Sequence, residues 1–266
     1  MPRIPSLPFK SLLAHLSSAR PTPALLKDVP AVPALSQWFN SAGGVNVGHF
    51  SGLEDPLVPL EHTSPSNGTF DRLEVPLSFY LQYLSSPPPS NGDTLYLAQF
   101  PPPASLASAV PPPPTIASLF SHSSLWLGIT PTTTPLHRDP DDNLLYQLAG
   151  SKRIRLLAPN EGQALLDGVR EETGGRAGRM RGDEMMRPGP GGERDALEKA
   201  VWEAPSGSLE EGGWMWEGQL ERGDALFIPR GWWHAVRGRA RWDAAEEPAE
   251  HGQEKLNASV NWWFRG

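Results

Sequence analysis

Proline sets the length of the elements this chain can build. Thirty of its 266 residues are proline, roughly twice the usual share. Each one fixes φ, removes a backbone donor and breaks helices and central strands. Long helices are therefore disfavoured, and short strands joined by turns are favoured. The apolar residues agree. Segments 94–99, 124–129, 143–148, 152–157, 214–220, 225–229, 232–236 and 258–264 each read as a strand bounded by turn formers. The sequence Leu148-Ala-Gly-Ser joins two of them as a tight turn. This spacing predicts a mainly β fold, a sandwich or barrel, with helices towards the N-terminus.

The flanking regions are more mixed. Residues 1–27 carry Arg3, Lys10, Arg20 and Lys27 and no acid, and Phe9, Leu12, Leu13 and Leu16 share one face of a short helix. Two readings fit: a basic, acid-poor targeting segment of the mitochondrial kind, or, as the better fit, an N-terminal helix of the domain. Residues 38–50 read as a short helix, a Gly43-Gly44 turn and a strand over 45–50, and residues 77–84 as a helix. Residues 160–213 look like an insertion. Within it, 168–194 is rich in Gly, Arg and Glu and is expected to be a mobile loop, followed by a helix over 195–202. Residues 243–254 form an acidic loop. One domain over 1–266 is expected, with 1–92 as support and 93–264 as the β core.

Bulk properties narrow the function. A net charge of −7 and a pI near 5.5 weigh against nucleic acid or an anionic membrane as the main partner. The stretch holding Arg170, Arg176, Arg179, Arg181 and Arg187 is the one basic feature that could touch phosphates, although a solvated loop explains it more simply. The lack of cysteine excludes disulfides, thiolate zinc sites and thiol catalysis. No apolar run reaches the ~18 residues of a membrane span.

The chemistry concentrates at two places. His137 and Asp139 are two apart on a strand-like segment and so aim at one point. His234 lies far downstream on a hydrophobic strand pair. Two histidines and a carboxylate leave three metal positions open, as in non-haem Fe(II) oxygenases. Lys152 shares a strand face with Ile154 and Leu156, which points it inward. A buried lysine needs an anion, and no acidic residue on the adjacent strands offers one; a bound carboxylate would. The competing reading leaves Lys152 in water at the strand mouth. Asn261 shares a face with Ser259 and Trp263, either lining the interior or lying outside. The Trp232-Trp233 pair reads as barrel core.

Together the segments Thr134-Pro-Leu-His137-Arg-Asp139-Pro, Asn143-Leu-Leu, Gln147, Gly150 and Lys152, then Gly223-Asp-Ala-Leu-Phe-Ile-Pro and Trp232-Trp-His234, with Ser-Val-Asn261-Trp-Trp and Tyr96-Leu-Ala-Gln, resemble the jumonji-C, cupin-like Fe(II)/2-oxoglutarate dioxygenases, in their small hydroxylase branch. The resemblance runs from about residue 94 to 264. It implies a double-stranded β-helix with helices packed on one side. It implies Fe(II) on His137, Asp139 and His234, and 2-oxoglutarate paired with Lys152, aided by Thr134 and Tyr96, with Asn143 and Asn261 lining its site; dioxygen is the other reactant. The activity implied is hydroxylation of a protein or peptide side chain. A tRNA-modifying hydroxylase, a histone lysine demethylase and a non-catalytic metal-binding cupin are the alternatives. Relatives that dimerise through helices beyond the last strand have no counterpart in this sequence, so a monomer or a dimer of another kind is expected. An intracellular site is expected, in cytoplasm or nucleus, with the mitochondrion as the other option.

Overall fold

The computed structural model describes residues 2–40, 43–64, 66, 68–87, 89–174, 192–203, 215–239 and 256–265. In chain order these form β1 (Ser6–Pro8), α1 (Leu12–Leu16), β2 (Ala24–Lys27), α2 (Ala34–Gln37), α3 (Val47–Phe50), β3 (Leu57–Ser64), β4 (Thr69–Pro76), α4 (Leu77–Ser85), β5 (Thr94–Phe100), α5 (Ala104–Ala107), β6 (Phe120–Ile129), β7 (Thr132–Arg138), β8 (Asp142–Ala149), β9 (Ser151–Leu157), α6 (Pro159–Thr173), α7 (Glu193–Trp202), β10 (Met215–Leu220), β11 (Ala225–Ile228), β12 (Trp233–Arg239) and β13 (Leu256–Phe264).

The strands make two sheets. The larger has the order β1-β2-β11-β8-β13-β6-β5-β3-β4, and the smaller β10-β9-β12-β7. All pairings are antiparallel except β1 with β2. From β6 to β9 and again from β10 to β13 consecutive strands alternate between the sheets: β6, β8, β11 and β13 are in the large sheet and β7, β9, β10 and β12 in the small. That alternation winds the chain as a double-stranded β-helix. The turn between β8 and β9 depends on Gly150, whose φ of 65° is the left-handed region.

Both faces of the central strands β8, β11 and β13 are covered, and nearly every residue along them is buried. Along β13, Val260, Trp262 and Phe264 pack into a core shared with Leu12 of α1, Ala34 of α2 and Tyr80 and Leu81 of α4. Ser259, Asn261 and Trp263 alternate with them and face the pocket between the sheets. Between the sheets, Leu145, Leu226 and Ile228 meet Ile154, Leu156, Leu220 and Val236. On the outer face of the small sheet, Leu166 and Val169 of α6 and Leu197 and Val201 of α7 close over Leu157, Met215 and Trp233. Of the tryptophan pair, Trp232 therefore faces inward and Trp233 lies beneath the helices.

Three expectations are corrected. Residues 45–50 are not a strand: Val45 makes a single bridge to Phe39, and Val47–Phe50 is one helical turn. The Asn40 carbonyl and side chain hold Gly43 and Gly44 in a tight turn, and Phe50 then swings onto the Trp38 ring at 5.9 Å. The start of the supposed insertion is helical, because α6 begins with proline in its first turn and ends at Gly174, with φ of 63°. The remainder of the expected mobile loop, 175–191, and the acidic loop 243–254 lie outside the described residues. The hairpin of β3 and β4 was not marked as strands in the sequence. At the N-terminus, β1 is built into the large sheet and Phe9 and Leu12 are buried in its core.

Candidate metal centre

β7 and β12 are neighbours in the small sheet, and their register sets His137 directly opposite His234. Facing positions on adjacent strands bring side chains together, and the two imidazole centroids are 4.1 Å apart. A register shift between His234 and Val236 marks a bulge, a device that re-aims a side chain next to a site. Asp139 is the first residue after β7, so strand alternation alone does not hold it. Side chains do: its Oδ2 accepts hydrogen bonds from Asn143 Nδ2 at 2.8 Å and Trp263 Nε1 at 3.1 Å. Oδ1 is 3.9 Å from His137 Nε2, and Oδ2 is 3.8 Å from His234 Nε2. One ligand atom from each of the three residues lies within 4.8 Å of the others.

The ring orientations suit a metal. His137 Nδ1 is 2.8 Å from the Pro135 carbonyl, and His234 Nδ1 is 3.2 Å from that of Trp232. A carbonyl only accepts, so each Nδ1 carries the proton and each Nε2 keeps its lone pair for the centre. Burial, and then the neighbouring His137, push the His234 imidazole down to about 4, which keeps it neutral near pH 7. Burial alone would raise the Asp139 carboxyl. The His234 and His137 imidazoles and the bonds from Trp263 and Asn143 outweigh it, so the carboxyl sits below its ordinary value. Two imidazole Nε2 atoms with an ionised carboxylate are the donor set a divalent metal takes.

The pocket continues away from these ligands to Lys152, Thr134, Tyr96, Asn143 and Asn261. Thus every site residue read from the sequence lies around one cavity. Lys152 is 4 % exposed and forms no ion pair with a described residue, and burial pushes its ammonium down to about 7. Burial, and then Glu61, push the Tyr96 hydroxyl above its ordinary value, and the nearby Thr134 and Thr132 side chains act against that. Tyr96 lies opposite Gly128 on β6, and a side chain at 128 would occupy the space of its ring. Asn261 Nδ2 donates to Asn143 Oδ1 at 3.0 Å, so an amide relay runs from Asn261 through Asn143 to Asp139. The buried Ser259 Oγ and Asn261 Oδ1 find no partner among the described residues, yet both residues line the pocket. Buried polar atoms of that kind call for a bound polar molecule. The residues present therefore fit both a divalent metal and an anionic small molecule.

Sequence reasoning missed Trp263 as a holder of Asp139, and Gln99 and Trp126 as parts of the wall. Trp263 shares a strand face with Asn261, which was a usable signal. Gln99 has a φ of 53° inside an irregular stretch of β5, which no local pattern reveals.

With this fold and site in view, the chain belongs to the cupin-like domain family, which matches residues 70–266. Two more distant relatives place it near the jumonji-C proteins. It is 31 % identical over 115 residues to Jumonji C domain-containing protein 5 of Drosophila melanogaster, covering 43 % of this chain and 24 % of that protein. It is 33 % identical over 112 residues to Lysine-specific demethylase JMJ30 of Arabidopsis thaliana, covering 42 % of this chain and 22 % of the relative. The matches thus span about a quarter of each relative's length. Among the described residues, no helix is long and apolar enough to cross a membrane.

Proposed function

We propose that this protein is an Fe(II)- and 2-oxoglutarate-dependent oxygenase that hydroxylates a side chain of a protein substrate. The observation that carries the reading is the pairing of a two-histidine, one-carboxylate cluster with a buried lysine that has no acidic partner among the described residues. A metal-binding cupin without oxidative chemistry has a use for the cluster and none for the lysine.

When bound, Fe(II) with 2-oxoglutarate and dioxygen supplies the oxidising power: one oxygen atom enters a substrate C–H bond, and the other enters succinate as carbon dioxide leaves. The chain's residues do the rest. His137, Asp139 and His234 would hold the metal from one side and leave positions free for reactants. Lys152 would take the distal carboxylate of 2-oxoglutarate in a charge-assisted bond, with the Thr134 and Tyr96 hydroxyls beside it. Asn143 and Trp263 keep Asp139 aimed, and the apolar wall around Leu145 and Val236 excludes water.

A second reading, removal of a methyl group from lysine, is favoured by the printed name of the Arabidopsis relative. The same site would serve, with an N-methyl carbon as the carbon hydroxylated. The test is succinate release from 2-oxoglutarate with Fe(II), followed by mass spectrometry of treated lysate proteins and RNA. Gain of one oxygen atom on a protein side chain supports hydroxylation, and loss of a methyl group from lysine supports demethylation. Oxygen gained on tRNA alone would move the substrate to RNA. Succinate release that persists in Asp139→Ala would defeat the ligand assignment.

A further inference from the structure

The pair β5–β6 separates two spaces of opposite character. Tyr96 and Gln99 of β5 line the polar metal pocket, while Leu97 and Phe100 of the same strand line a second cavity behind it. That cavity has a volume of about 30 Å3 and lies between the large sheet and the helical layer, where Leu81 of α4 and Leu106 of α5 line it. Its exposed lining is almost wholly apolar. About 10–15 Å3 of such space holds one water-sized molecule, and enclosed cavities with apolar walls stay dry and accept apolar guests such as xenon.

Two features connect this cavity to the metal pocket. The ladder between β5 and β6 loses its register between Leu97 and Phe100, and Gln99, inside that break, takes the left-handed conformation. The wall lacks its regular hydrogen bonds at this point. Trp126, whose ring lies 6.1 Å from that of Tyr96, is common to the linings of both spaces, and its indole N–H finds no acceptor among the described residues. A ring with no hydrogen bond to lose can turn at lower cost than one that is anchored.

We infer that the apolar cavity is a binding site for dioxygen on its way to the metal, with the Trp126 ring as the partition between the two spaces. The inference rests on the oxygenase reading above. Of the reactants in that reading, dioxygen alone is small and apolar; 2-oxoglutarate is a dianion and cannot enter a dry, carbon-lined space. A separate route also lets dioxygen arrive while the polar pocket is filled.

The test uses xenon as the probe of the cavity. Crystals of the full chain under xenon pressure are expected to show xenon beside Trp126, with metal absent or present. Leu106→Phe and Leu81→Phe, which narrow the cavity from two different helices, are expected to lose that xenon. They should raise the KM for dioxygen several-fold at unchanged kcat. Stabilisation of both variants by Mn(II) with N-oxalylglycine, a non-reactive mimic of 2-oxoglutarate, checks that each is folded. Xenon missing from the parent cavity, or ordered water bound there to the Trp38 and Trp126 indoles, overturns the inference. So does an unchanged KM for dioxygen in a folded variant that has lost its xenon. A parent protein that forms no succinate overturns the oxygenase reading itself, and that result is obtained separately from the xenon site.

Discussion

Lys152 makes the sharpest statement at the scale of single residues. Its ammonium is pushed from 10.5 down to about 7 by burial, so the folded protein binds the proton more weakly than the unfolded chain does. Between about pH 7 and 10.5 the unfolded chain holds the extra proton, and stability rises with pH through that window. Below about 7 both states are protonated, and the cost of the buried charge is complete. Replacing the lysine with a similar apolar chain removes that cost. Lys152→Met is therefore expected to stabilise the ligand-free protein near pH 7 by about 1–3 kcal/mol, measured by denaturant unfolding, while abolishing 2-oxoglutarate binding. Unchanged or reduced stability would mean that water reaches the ammonium. Binding of 2-oxoglutarate should restore the charge. Its affinity should then fall as pH rises above about 7, by up to roughly tenfold per unit, with proton uptake visible by calorimetry in buffers of different ionisation enthalpy. An affinity that stays flat from pH 6 to 9 would contradict the pairing.

Trp263 belongs to the same scale. Its bond to Asp139 Oδ2 fixes the one ligand that no strand holds. Trp263→Phe keeps most of the packing and deletes the donor, so metal affinity should drop by about 10-fold or more with little loss of fold. Equal Mn(II) affinity in the variant would remove the tryptophan from this role. His234 and Lys152 were legible in the sequence because each is a polar group set in an apolar strand, and His137 and Asp139 because they stand two apart at the end of one. Trp263 was not, because an indole on such a strand reads as core. Its role depends on the pairing of β13 with β8, which sets Trp263 opposite Asn143, a contact far apart in sequence.

At the scale of elements, the strands of the β core and the helices α1, α4 and α7 were legible, while the β3–β4 hairpin, α3 and α6 were not. Turn formers and proline bound each strand of the β core, and burial of both faces of the central strands β8, β11 and β13 accounts for their near-continuous apolar runs. α3 exists because Phe50 packs on Trp38, and α6 because Gly162, Leu166 and Val169 bury against the small sheet. Those apolar positions are spaced for a helix, but the surrounding Gly, Glu and Arg masked them. α7 is fixed by charge as well as by apolar contact. The guanidinium groups of Arg155 and Arg237 lie 5.0 and 4.5 Å from the Trp202 ring. Arg237 also pairs with Glu198 at 2.7 Å, and Arg155 donates to the Val201 carbonyl. Trp202→Ala should cost about 2–4 kcal/mol in denaturant unfolding through lost packing and cation–π contact. Metal affinity should change little, since α7 contributes no ligand. A large loss of metal affinity in the folded variant would instead tie α7 to the shape of the centre.

At the scale of the whole molecule, the β-helix places residues from β7, β9 and β12 of one sheet opposite residues from β5, β8 and β13 of the other, around one interior. The ligands His137 and His234 come from adjacent strands, and the group that orients Asp139 comes from the facing sheet. A bound metal therefore ties the two sheets together through Asp139 and Trp263, and its removal by a chelator should lower the melting temperature of the loaded protein reversibly. The measurement that bears most directly on this picture is calorimetric titration of N-oxalylglycine, without oxygen, into Mn(II)-loaded protein at pH 7. One binding event per chain is expected, lost without metal and lost separately in His234→Ala and in Lys152→Met. Binding of equal strength to metal-free protein, or to either variant, would contradict a metal centre and a buried ammonium acting on one ligand.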